Sequence, residues 1–192
     1  YRTHFEIPAD WQGKEIQITF DGIYKNSQVW CNSYYLGKRP YGYSTFTYNI
    51  THAVDFDGDN VIAVRVEHTD IADSRWYTGS GITRKVVLSC KEPVHPREYG
   101  VIFETKQVTE IDREGGTGRA ELLIRHFPVE GENFVGQFPV EERKGTPLHI
   151  RTALVNREGR VVLTLEGSGK TGEESRLRGT LENAVLWSVE TP

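Results

Sequence analysis

The side chains best suited to chemistry stand together between Asp73 and Arg84, in the order DSRWYTGSGITR. Two arginines, a Trp and a Tyr lie beside Gly79 and Gly81, between two strand-like runs. Val61 to Val66 before them is apolar, and Arg84 to Ser89 after them alternates toward Val86 and Leu88. Such a segment is too polar for a core strand and too aromatic for an ordinary turn. The chemistry it offers is binding. Trp76 and Tyr77 supply aromatic faces and Arg75 a guanidinium donor, so the segment reads as a structured loop with a binding face. The competing reading is local, with Trp76 packed under its own loop and Arg75 paired with Asp73. Arg84 is expected to hold an acidic or carbonyl group of the scaffold rather than a ligand.

Other motifs carry less. Tyr41-Gly42-Tyr43 offers aromatic surface, but a structural turn with Gly42 relaxing the backbone is the better expectation. Asp55, Asp57 and Asp59 resemble a calcium loop, yet Gly58 is misplaced and Val66 stands where the bidentate glutamate belongs. A turn between strands fits them better. Ser168 to Thr171 resembles part of a phosphate loop, but Thr164 replaces its first glycine. Asn49-Ile50-Thr51 is a glycosylation sequon that matters only in a secreted eukaryotic protein. The histidines are scattered without ligand spacing, so no metal site is expected, and no cofactor.

With VWCNSYYLGKRPYGYSTFTYNIT (Val29 to Thr51) and GDNVIAVRV (Gly58 to Val66), the Asp73–Arg84 segment resembles the N-terminal sugar-binding domain of glycoside hydrolase family 2. That family includes β-galactosidases, β-glucuronidases and β-mannosidases. The resemblance implies a galactose-binding-like jelly roll followed by an immunoglobulin-like sandwich, with catalysis on a separate (β/α)₈ barrel. It also implies that the loop reaches the substrate pocket, where the residue at the position of Arg75 borders the sugar. Arg75, Trp76 and Tyr77 are therefore the candidate substrate-binding residues. Some β-galactosidases carry aspartate at the position of Arg75, which leaves the sugar preference open. Retaining enzymes of this type need two carboxyl groups about 5–5.5 Å apart, and the family keeps both on the barrel. Glu130, Glu132, Glu141 and Glu142 read as solvated loop charges, so no catalytic residue is expected in this chain. The expected partners are carbohydrate and the enzyme's own barrel, with a full-length homo-oligomer possible.

The elements that position these residues are all strands. Thr3, Phe5 and Ile7 share one face, and Ile16, Ile18 and Phe20 repeat at period two. Gln28 to Cys31, Thr45 to Tyr48, Val61 to Val66 and Thr83 to Ser89 add further strands. Asn32-Ser33 stands where the family that this chain resembles usually has Asn-Gly in a hairpin turn, leaving its type open. Residues 1–93 hold 15 of the 21 aromatics, and the composition turns aliphatic beyond. Two domains follow: 1–93, a jelly roll lacking its N-terminal part, and 94–192, an immunoglobulin-like sandwich. Glu92 to Pro96 reads as the linker. In the second domain Val101 and Phe103, Ala120 to Ile124, Leu148 to Leu154 and Val161 to Leu165 alternate, with a hairpin tip at Arg157-Glu158-Gly159. Phe127 to Pro147 is expected to be a mobile insertion with a short hairpin around Phe134 to Phe138. Leu186 to Pro192 resembles the family's junction before the barrel.

Bulk properties bound the rest. A net charge of −4 leaves no basic excess for nucleic acid. No apolar run reaches the roughly 20 residues of a membrane helix. The chain begins at Tyr1 and contains no Met, so it is expected to be a piece of something longer. Free thiols at Cys31 and Cys90 suit a reducing cytoplasm, a single disulfide being the alternative.

Overall fold

Alternating apolar residues become strands where one face of a sheet meets another sheet, and both halves of this chain do so. The structure is a computed structural model that describes residues 1–69, 79–131, 133–135, 138–140 and 144–186. Among the described residues there is no α-helix, only a 3₁₀ turn at Ala9–Trp11. Internal contacts divide the chain into two compact units. One is Tyr1–Pro93 with Gly131–Glu141, the other Val94–Glu130 with Glu142–Pro192.

The first unit is built from β1 (Arg2–Phe5), β2 (Glu15–Phe20), β3 (Ser27–Cys31), β4 (Tyr34–Arg39), β5 (Phe46–Asn49), β6 (Asn60–Arg65) and β7 (Val86–Lys91). One antiparallel sheet has the order β1-β6-β3-β4 and the other β5-β2-β7. Ile16, Ile18 and Phe20 of the second sheet meet Val29, Cys31, Ile62 and Val64 of the first, all buried. Phe20 stacks on Phe46 with ring centroids 5.3 Å apart. Each such side chain contributes about 1.5–3 kcal/mol on burial. This is the jelly-roll sandwich. The Asn32-Ser33 turn has φ of 48° and 84°, the two positive values that a type I′ hairpin turn requires. Asn-Ser here takes the place of Asn-Gly. Two strands sit slightly later than expected. The last begins at Val86, because Arg84 has left the ladder for contacts described below.

The second unit contains β8 (Val94–Asp112), β9 (Thr117–Glu130), β12 (Pro147–Val155), β13 (Val161–Lys170) and β14 (Ser175–Val185). One sheet has the order β14-β9-β8, and β12 pairs with β13 to form the other. The core is aliphatic: Ala120, Leu122 and Ala184, with Leu154, Leu163 and Leu181 against them. Gly167 leaves room for the Leu177 side chain, and Gly179 for that of Leu165. The second sandwich is immunoglobulin-like. Its 157–159 tip is a turn, with Asn156 N donating to Arg160 O at 2.9 Å.

Two expectations change. The expected linker is partly strand, since β8 starts at Val94 and pairs Pro96 with Pro128. The extended backbone that proline favours serves a ladder here. For the same reason Phe127 to Pro147 is not one loop. Residues up to Glu130 belong to β9, and β12 starts at Pro147. Between them β10 (Asn133–Val135) pairs with β11 (Phe138–Val140), the expected hairpin. The expected mobility of the insertion concerns residues that lie partly outside the described ones.

The two sheets of the second unit are also joined by a polar contact. His126 of β9, 8% exposed, lies 2.8 Å from Thr152 Oγ1 of β12 through Nε2. Burial lowers its pKa below the ordinary 6.5. The unfolded chain therefore takes up a proton near pH 6.5 while the folded unit does not. The stability that neutral His126 contributes is complete above that pH, and is lost as pH falls from 6.5 toward the lowered folded value. Glu104 and Glu174 titrate below the usual carboxylate range, held there chiefly by hydrogen bonds from Lys106 and Arg176. They leave the interval just below pH 6.5 to histidine. Urea unfolding at pH 7.5 and 5.5 is expected to show a loss that His126→Gln reduces. An equal loss in the variant would assign it elsewhere.

Candidate functional site

Arg75, Trp76 and Tyr77 lie outside the described residues, as does Trp187. The structure describes the base from which the 70–78 loop springs. β6 delivers the chain to Thr69, and it returns at Gly79 on the way to β7. The two stems are tied to each other and to a third segment. His68 Nδ1 lies 2.5 Å from Ser80 Oγ. Tyr24 N donates to Gly81 O at 3.1 Å, and Gly81 N to Tyr24 O at 2.6 Å. The Tyr24 ring meets His68 edge-on, with centroids 5.1 Å apart. Gly81 has φ +98°, and the Tyr1 hydroxyl occupies the space a Cβ would need. Only glycine satisfies both conditions. An open depression of about 770 Å³ adjoins this base, lined by Tyr1, Glu67, His68, Thr69, Ser80 and Gly81 among others.

Aromatic rings extend from the base. Tyr24 lies 5.2 Å from Tyr43, and Tyr43 lies 5.8 Å from Tyr41, centroid to centroid. Arg84 braces this row. Its Nη1 donates to Asp21 O at 3.3 Å and to Tyr43 O at 3.4 Å. Its guanidinium carbon sits 5.7 Å from the Tyr43 ring centroid. Arg84 thus holds scaffold carbonyls, as its place in the motif indicates. Gly42 is glycine for a reason the sequence did not reveal. Its φ is not positive, but a Cβ would run into the Tyr24 ring and stand 3.0 Å from Tyr24 Cα. Tyr24 itself carries no motif and comes from a distant turn. His68 and Ser80 flank the candidate loop, which is the one signal that points to them.

The remaining motifs resolve as scaffold. Asp55 Oδ1 accepts from Asp57 N at 2.9 Å, and Asp59 pairs with His4. Among the described residues no three His, Cys, Asp or Glu side chains converge on a metal position. Ser168 to Lys170 lie in β13, paired with β12, so they form no phosphate loop. Both cysteines are free thiols. Burial pushes the Cys31 thiol up to about 11, so it is inert toward thiol chemistry at neutral pH.

Residues 1–93 match the family model described as glycosyl hydrolases family 2, sugar binding domain. The whole chain is similar to the β-galactosidase BoGH2A of Bacteroides ovatus, 34% identical over 196 residues, and spans 21% of that protein. A β-glucuronidase of Formosa agariphila is 32% identical over 108 residues, covering 50% of this chain and 11% of its own. Among solved structures, a glycosyl hydrolase family 2 member from Bacteroides cellulosilyticus superposes with a TM-score of 0.82 at 29% identity. The match covers 99% of this chain and 24% of that one. The chain therefore spans about a fifth of the length of the BoGH2A relative. Family-model match and whole-chain similarity agree: the chain belongs to glycoside hydrolase family 2 and carries its sugar-binding domain at residues 1–93.

Proposed function

We propose that this chain forms the non-catalytic N-terminal β domains, 1–93 and 94–192, of a retaining β-galactosidase. The observation that carries the non-catalytic N-terminal reading is similarity to BoGH2A along the whole chain, confined to a fifth of that enzyme, and the choice of galactoside over glucuronide rests on the assay below. In this reading both catalytic carboxylates belong to a (β/α)₈ barrel outside these residues, and the isolated chain hydrolyses nothing. The jelly roll lends the Arg75–Tyr77 loop to the rim of the substrate pocket. The second sandwich is a spacer, and the parent enzyme needs no cofactor and works in the cytoplasm. The tied base at His68, Ser80, Gly81 and Tyr24 supports the role of the loop, because a pocket rim must be held still to discriminate substrates.

Two assays test this. The full-length enzyme is expected to turn over nitrophenyl β-galactoside well above β-glucuronide or β-mannoside. The reverse order would assign it to a neighbouring specificity of the family. Trp76→Ala in that enzyme is expected to lower kcat/KM about tenfold with an unchanged melting temperature. An unchanged kcat/KM removes Trp76 from the rim.

A further inference from the structure

The outer face of the β1-β6-β3-β4 sheet carries a second cluster, contributed by β1, β3, β4 and β6. Alternation in β3 turns Val29 and Cys31 inward, and Gln28 and Trp30 outward. An irregularity between Val29 and Trp30 resets the pairing with β4, so that Trp30 stands opposite Tyr35 and Gln28 opposite Lys38. On the other side Trp30 stands opposite Ala63, Gln28 opposite Arg65, and Arg2 of β1 opposite Ala63. The Trp30 and Tyr35 rings lie 5.4 Å apart at 48°, and Tyr35 is 47% exposed. Ala63 is the smallest side chain of this row. Arg2, Lys38 and Arg65 all stand at the surface around the pair, and all three are exposed. Arg65 has a carboxylate neighbour, Glu67, at 3.3 Å, and an exposed pair of this kind is worth little and exchanges readily.

A chain with net charge −4 thus gathers three cations around one aromatic pair. Stacking surface and positive charge on one flat face are complementary to a sugar ring that bears an anionic group. We propose that this sheet face binds carboxylate-bearing glycans, with a uronate ring on Trp30 and Tyr35 and its carboxylate held by Arg2 and Arg65. The proposed site uses none of Arg75, Trp76 and Tyr77.

Calorimetric titration of the 192-residue chain with oligogalacturonate tests the proposal, beside its methyl ester and dextran sulfate. Saturable binding of the acid is expected, about tenfold or more tighter than that of the neutral ester. Trp30→Ala and the pair Arg2→Gln/Arg65→Gln are each expected to weaken it about tenfold. The arginines are exposed, so the second variant stays informative if Trp30→Ala melts early. Absence of binding, or equal binding of acid and ester, overturns the proposal. So does dextran sulfate binding as tightly as the oligogalacturonate, which would mark general attraction to polyanions.

Discussion

Asn60→Ala is expected to lower the stability of the jelly-roll unit by about 3 kcal/mol. Asn60 is fully buried, and its amide is used from both ends. Its Oδ1 accepts from Asp55 N and from Asn32 Nδ2, each at 2.7 Å. Its Nδ2 donates to Asp55 O at 2.8 Å and Gly58 O at 3.3 Å. Asn32 in turn donates to Ala53 O at 2.9 Å and accepts from Val61 N at 2.7 Å. The two amides thus join the β3–β4 turn, the acidic 55–59 turn and the start of β6. Truncation leaves several buried polar groups without partners, and each carries a desolvation cost of about 1–3 kcal/mol. For a unit of this size the melting temperature should fall on the order of 15 °C. Asn60→Asp should not rescue it, because the carboxylate cannot donate to the carbonyls and is itself buried. Asn32→Ala and Asn60→Ala combined should cost less than their sum. A loss below about 1 kcal/mol for Asn60→Ala would show that the network does not hold the turns together.

Gly42→Ala is the second substitution with a large expected effect, about 2–3 kcal/mol. The added methyl meets the Tyr24 ring, and Tyr24 Cα at 3.0 Å gives no way out through a side-chain rotation. Tyr24 is also the residue whose backbone pairs with Gly81 in both directions. The displacement is therefore expected at the loop base as well as in the melting curve. In the full-length enzyme kcat/KM should fall even at temperatures where Gly42→Ala is folded. Gly13→Ala is the control. Gly13 has φ +82°, but a methyl added there would meet nothing within 4 Å, so the change should cost only the backbone term of about 1 kcal/mol. If the two variants melt together, close packing is not what fixes residue 42.

What the sequence alone determined is local in origin. Alternation along Ile16 to Phe20, or along Leu148 to Leu154, is visible because each strand writes its own buried face at period two. The all-β class, the aliphatic second core and the hairpins at 134–138 and 157–159 are of that kind. So is the candidate loop, whose aromatic and Arg content stands out against any turn. What only the tertiary structure decided depends on partners far apart along the chain. Val94 to Pro96 became strand because Glu130 to Pro128 lay alongside. Asn60 is indistinguishable from a turn asparagine until Asn32 and Asp55 close on it. Gly42 gives no conformational clue, since Tyr24 supplies the constraint through space. The cations on the outer sheet face sit on three different strands, β1, β4 and β6, and gather around Trp30 only through register. A single chain spells out the period of each strand, whereas the free energy of a buried amide or a close contact belongs to both partners at once.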